Sequence, residues 1–174
     1  FVITGDHSWG KKLQETQADL DFIADLPGKK ILLRGNHDMF WDAKKTAALN
    51  KQFEPRLHFL QNNYYTYQDY ALVGTKGYTF EGPFWINQWG QIVDWREEDE
   101  IKAQKLVQRE VERLKISFEA ARKDGYSKFI MFLHYPPTNV LEKDSFFTRI
   151  AVADPIFVIR IILCLKTEHV EKDP

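Results

Sequence analysis

Several things are scarce in this chain, and each scarcity removes a class of answers. Its 174 residues hold one cysteine, Cys164. No internal disulfide can form, and no Cys-x-x-Cys pair suggests a structural zinc or a redox dithiol. A reducing intracellular setting, cytoplasmic by default, is therefore expected. Charge of one sign is lacking as well, because 24 Lys and Arg face 25 Asp and Glu for a formal net charge of -1. No global field draws nucleic acid or an anionic membrane surface, although a local basic patch stays open. The longest apolar run, 156–165, contains Arg160 and is about half of the roughly 20 residues that a spanning helix needs. No membrane association is expected. Repeats and low-complexity tracts are absent. What is present, 44% hydrophobic and 28% charged residues, suits a globular α/β chain with one sizeable core, read as a single domain over 1–174.

Apolar periodicity sets out the elements. Phe1-Val2-Ile3-Thr4 is a short β-branched run closed by Gly5-Asp6, a buried strand ending in a turn. Having neither an initiator methionine nor a signal sequence before it, this run is expected to have further residues upstream. Residues 13–26 place Leu13, Ala18, Leu20, Ile23, Ala24 and Leu26 at roughly helical spacing, and Pro27-Gly28 ends them. Residues 30–34 give a second strand. Strand, helix and strand have the size of a βαβ unit, whose crossover is right-handed in about 98% of cases, so the two strands should be parallel. A helix over 42–53 with Asp42 as N-cap follows. Residues 57–78 suggest a hairpin around Gln68-Asp69. Residues 79–95 resist assignment and read as an ordered loop, in which Trp85, Trp89 and Trp95 either pack or line a cleft. Residues 97–124 form the clearest helix, with acids in the first turn, Arg122 and Lys123 at the end and Gly125 as the stop. A third buried strand, 128–133, runs into His134.

Chemistry gathers at the ends of the apolar strands: Asp6, then Asn36, His37 and Asp38, then His134. If these strands are parallel neighbours in one sheet, their C-terminal ends share the edge where α/β folds place their sites. Gly35 is expected to provide the tight turn that swings Asn36 and His37 over that edge. A carboxylate, an amide oxygen and neutral imidazoles suit Mn(II), Fe(II) or Zn(II). Such ions suit a phosphate ester, with metal-activated hydroxide attacking phosphorus in line and His37 as the acid, supported by Asp38. Each residue alone has a plainer reading. Asp6 is a turn former, Asp38 a helix cap, His134 a hydrogen-bonded core histidine, and Lys76 in Gly-Thr-Lys-Gly-Tyr a solvated loop cation as readily as a phosphate contact. His7 reads as a neighbour of the site, and His58 and His169 as surface or loop residues.

The motifs Gly5-Asp6, Gly35-Asn36-His37-Asp38 and the strand-terminal His134 resemble those of the calcineurin-like metallophosphoesterases. The stretches GDHSW, LPGKKILLRGNHD, VGTKGY and LHYPPTN are similar to the small bacterial phosphohydrolases of that superfamily, over residues 1 to about 148. The resemblance implies a sandwich of two mixed sheets between helices, here incomplete at both ends. It also implies a dinuclear centre of divalent ions, Mn(II) first, in which Asp6 bridges, Asn36 and His134 hold the second ion, and His37 assists the leaving group.

The family pattern also calls for Asp-x-His before the first motif and Gly-His-x-His near the end. The chain starts after the first position and offers only His169 in its tail, so at most one well-liganded ion is expected, and impaired activity with it. Residues 149–174 read as an atypical tail. The expected function is metal-dependent hydrolysis of a small phosphate ester, with a nucleic-acid substrate disfavoured. The alternative is a non-catalytic binding or scaffold protein that keeps the fold. Substrate and oligomeric state are open at this level.

Overall fold

A computed structural model describes residues 1–78, 85–86, 88–89, 91–93, 96–135 and 156–158. The described strands are β1 (Val2–Ile3), β2 (Ile31–Leu33), β3 (His58–Leu60), β4 (Tyr65–Tyr67), β5 (Tyr70–Thr75), β6 (Trp85–Ile86), β7 (Ile92–Val93), β8 (Lys128–Leu133) and β9 (Ile156–Val158). The described α-helices are α1 (Gln17–Asp25), α2 (Thr46–Phe53) and α3 (Glu97–Lys123), with single 3-10 turns at Leu13–Thr16 and Ala43–Lys45 leading into the first two. Asp42 caps the second of these turns, its carboxylate accepting from the Lys44 N–H at 3.0 Å.

Sheet one has the order β1-β2-β3 and is parallel throughout. Sheet two has the order β4-β5-β8-β9 and is mixed, with only the β4–β5 hairpin antiparallel. Gln68, at φ 53, turns that hairpin. The expected hairpin over 57–78 is therefore shorter, because His58–Leu60 leave it to form the edge of sheet one beside β2. β6 and β7 make a small antiparallel pair inside the segment that resisted assignment.

The period-two alternation of each strand builds four layers. Leu32 and Phe59 point to one side of sheet one and pack with Leu20, Ile23, Leu49, Phe53 and Trp41 under α1 and α2. Ile31, Leu33 and Leu60 point to the other side, where they meet Leu72 and Phe132 of sheet two. Ala71, Val73, Phe129 and Met131 face away from sheet one and pack on Val107, Val111, Leu114 and Phe118 of α3. Both sheets are thus buried on both faces, which is why β2 and β8 read as continuous apolar runs rather than as alternating ones. Each fully buried Leu or Phe contributes about 1.5–3 kcal/mol relative to an exposed one. The stacking also corrects the expectation that the three site-bearing strands are neighbours in one sheet. β1 and β2 belong to sheet one, β8 belongs to sheet two, and the site lies where the two stacked sheets end.

Candidate functional site

Asp6 leaves β1 through a sharp turn in which Gly5 (φ 114) and Asp6 itself (φ 58) both adopt the left-handed region. A Cβ at Gly5 would stand 2.5 Å from His134 Nδ1 and 2.7 Å from Gly35 Cα. Glycine is therefore required there twice, for its φ and for the close approach. Gly35 acts differently from the expected turn: its φ is not left-handed, and its missing Cβ instead leaves room for the carboxylate and backbone nitrogen of Asp6. The two glycines let the loops after β1 and β2 lie against each other and against His134.

The result is a convergence of Asp6, Asn36 and His134. His134 Nε2 lies 2.7 Å from Asn36 Oδ1 and 3.6 Å from Asp6 Oδ2, while its Nδ1 lies 2.8 Å from the Thr4 carbonyl oxygen. A carbonyl accepts only, so the neutral ring carries its proton on Nδ1 and presents the Nε2 lone pair to Asn36 and Asp6. In that tautomer the Nε2 lone pair has two further oxygen acceptors beside it, Asn36 Oδ1 and Asp6 Oδ2. That donor set suits a divalent cation of the Mn(II), Fe(II) or Zn(II) kind, and a backbone carbonyl on the far ring nitrogen is the sort of partner that would fix the orientation of such an imidazole. Among the described residues no group of three or more His, Cys, Asp or Glu side chains is placed to hold a metal. The set here has two such side chains, and an amide completes it.

His37 sits beside this set, its backbone N–H donating to Asp6 Oδ1 at 2.9 Å. Its ring stacks on Trp9, with centroids 3.8 Å apart and planes at 27°. Asp38 does not support it. The fully buried Asp38 carboxylate accepts from the backbone N–H groups of Gly35 (2.7 Å), Asp6 (2.9 Å), His7 (2.8 Å) and Ser8 (3.3 Å), and from His7 Nδ1 (3.0 Å). Burial works against its charge, but the His7 ring and the Gly35 and His7 N–H groups outweigh burial and hold the carboxyl below its usual range. The imidazole that Asp38 orients is thus that of His7, whose side chain is buried and whose Nε2 has no hydrogen-bond partner among the described residues. Asp38 is the clamp that binds the Asp6 loop to the Asn36 loop.

Lys76 follows β5, next to β8, and its carbonyl accepts from the N–H of Tyr135 at 2.8 Å. Its ammonium lies 5.3 Å from the ring centroid of Tyr78 and 5.9 Å from that of Tyr135. Burial lowers its pKa, with Arg34, Arg109 and Arg113 acting in the same direction against Glu110. It is a partly buried cation, unlike the solvated loop lysine of the plainer reading, and it leaves β5 at the level where His134 leaves β8, each directly after the paired Thr75 and Leu133. His58 belongs to β3, 3.3 Å from Glu54, away from the site. His169, Trp95 and most of the tail lie outside the described residues.

The sequence model of the calcineurin-like phosphoesterases matches residues 1–159. The chain belongs to this family. Its two sheets and their helices are those of the family fold. Members are generally hydrolytic phosphoesterases that use divalent metals and act on phosphate esters. A comparison with curated proteins found no match. Among the described residues no helix is long and apolar enough to cross a membrane.

Three contacts had no signal in the sequence. The Thr4 carbonyl is a backbone atom, the pairing of His7 with Asp38 joins residues 31 apart, and the contact of Trp9 with His37 depends on how two loops meet.

Proposed function

We propose that this chain hydrolyses a small phosphate ester, with Asp6, Asn36 and His134 as ligands of a divalent metal, Mn(II) before Fe(II) or Zn(II), in a reducing, cytoplasmic setting. The observation that carries the reading is that Asn36 Oδ1 and Asp6 Oδ2 gather at His134 Nε2 while His134 Nδ1 lies on the Thr4 carbonyl oxygen. When bound, the metal supplies an activated water nucleophile and neutralises charge on the phosphoryl oxygens. The protein's own groups do the rest. Thr4 holds the tautomer of His134. Asp38 keeps the two ligand-bearing loops in register. His37, held through its N–H by Asp6, gives a proton to the departing oxygen, and Lys76 lies on the adjoining strand end to meet a phosphoryl oxygen.

The test is hydrolysis of an aryl phosphomonoester and an aryl phosphodiester with added Mn(II). Turnover should need the metal and stop with a chelator. Asn36→Ala and His134→Ala should each lower kcat/KM by on the order of 100-fold or more, at or beyond the upper end of the roughly 10–100-fold loss that follows removal of an outer partner of a metal ligand. A folded protein that binds no divalent ion in a calorimetric titration and turns over neither ester would instead be the non-catalytic scaffold.

A further inference from the structure

Trp9 is 71% exposed. An exposed indole on a surface loop is ordinary when its backbone is loose. This one is fixed on both sides. The N–H of Ser8 donates to Asp38, and the Ser8 hydroxyl, 3% exposed, donates to Asp19 at 2.5 Å and accepts from the Gly10 N–H at 3.2 Å. A Cβ on Gly10 would stand 2.6 Å from the Thr16 side chain, so the turn after Trp9 is packed as well. Buried and partly buried polar contacts therefore hold a large apolar ring in solvent, with one face against the imidazole that protonates the departing oxygen.

From this we infer that Trp9 is a specificity residue whose free face and edge take a planar aromatic leaving group. The inference rests on the phosphoesterase reading and narrows its substrates to esters whose departing alcohol carries a flat ring, an aryl group or a nucleobase. Geometry supports the leaving-group side, because the ring on which Trp9 stacks is that of His37. Stacking tolerates any flat ring, since every base and aryl group offers a π-face.

The measurement is the ratio of kcat/KM for an aryl phosphate over glycerol phosphate, and likewise for a nucleoside monophosphate over glycerol phosphate, in the metal-loaded protein. Trp9→Ala should lower one or both ratios about tenfold, a typical value for one lost stacking contact, and Trp9→Phe should restore most of the loss. Which ratio falls distinguishes the aryl group from the nucleobase. Phe22→Ala, an exposed aromatic on α1, should leave both ratios unchanged. A merely structural Trp9 would depress all three substrates together, and unchanged ratios in Trp9→Ala overturn the assignment. A second readout needs neither metal nor turnover: a nucleoside monophosphate or aryl phosphonate should quench indole fluorescence in the parent protein and quench it less in Trp9→Phe. Should no ester be hydrolysed while this difference in quenching persists, the phosphoesterase reading fails and the stacking site stands. Equal quenching in the two proteins removes the site.

Discussion

Asp38 concentrates more hydrogen bonds on one side chain than any candidate ligand does, and its consequences are readable in stability. Replacing it with Asn keeps the shape but turns an amide NH2 toward N–H donors that then lack an acceptor. Each buried donor left in this way costs about 1–3 kcal/mol, so Asp38→Asn should lose roughly 3 kcal/mol or more in urea denaturation. The pH dependence follows from the lowered pKa. Below the unfolded value of about 3.9 the unfolded chain takes up a proton that the folded carboxylate resists. The stabilisation is therefore complete above roughly pH 5 and fades as the pH falls through the folded value. Denaturation midpoints of the parent protein should fall more steeply below pH 5 than those of Asp38→Asn, and parallel profiles would show that the carboxylate is not the clamp. At this scale the candidate ligands were legible, because Asp, Asn and His at the ends of apolar runs are chemically conspicuous. The partner of Asp38 was not. Adjacency in sequence suggested His37, whereas the ring on its carboxylate belongs to His7, brought there by the approach of two loops that Gly5 and Gly35 permit.

Among the elements, α3 shows how a helix reads from sequence and where that reading stops. Its acidic first turn, basic last turn and apolar stripe gave its extent almost to the residue, Glu97–Lys123 against an expected 97–124. Glu110 was silent, one more acid in a charged helix. In the fold it is 1% exposed and accepts from the Thr75 hydroxyl at 2.6 Å and from Arg113 at 2.5 Å. Thr75 ends β5, and its hydroxyl also accepts from Gln61 at 3.4 Å, so this carboxylate pins the helix to the sheet edge that carries Lys76. Glu110→Ala strands the Thr75 hydroxyl and leaves a partly buried Arg113 without its partner. A loss of about 2–4 kcal/mol is expected, near the lower part of the range for breaking buried ion pairs because Arg113 keeps some solvent. Equilibrium denaturation reads this directly, and a loss below 1 kcal/mol would mean that water replaces the carboxylate without penalty. The β3 strand departs from its sequence pattern for a related reason: a short apolar run before a real hairpin looks like part of it until sheet one supplies a neighbour.

For the whole molecule, period-two and period-3.6 patterns were enough to give an α/β chain with a parallel βαβ start, but they do not say how many sheets the strands divide into. Continuous apolar strands fit one sheet covered by helices on both sides as well as two sheets stacked on each other. The motif resemblance supplied the second sheet, and the packing of Leu33 and Leu60 against Leu72 and Phe132 is what realises it. This division matters for the site, since Asp6 and Asn36 come from sheet one and His134 from sheet two, so the gap between their ligand atoms depends on the spacing of the sheets. Gly74 sets that spacing close to the site. A Cβ there would stand 2.8 Å from the Phe132 carbonyl oxygen, 2.9 Å from Leu33 Cδ1 and 3.2 Å from Leu60 Cδ2, in a core with no slack to absorb a methyl group. Gly74→Ala should cost about 1–3 kcal/mol as overpacking and, by pushing the sheets apart, weaken Mn(II) binding although it touches no ligand. A paired comparison with Ala48→Gly, a destabilising change on α2, separates the two effects in calorimetric Mn(II) titration of the folded proteins. Weaker binding only in Gly74→Ala ties the ligand set to sheet spacing. Equal affinity in both variants would mean that the loops alone assemble it.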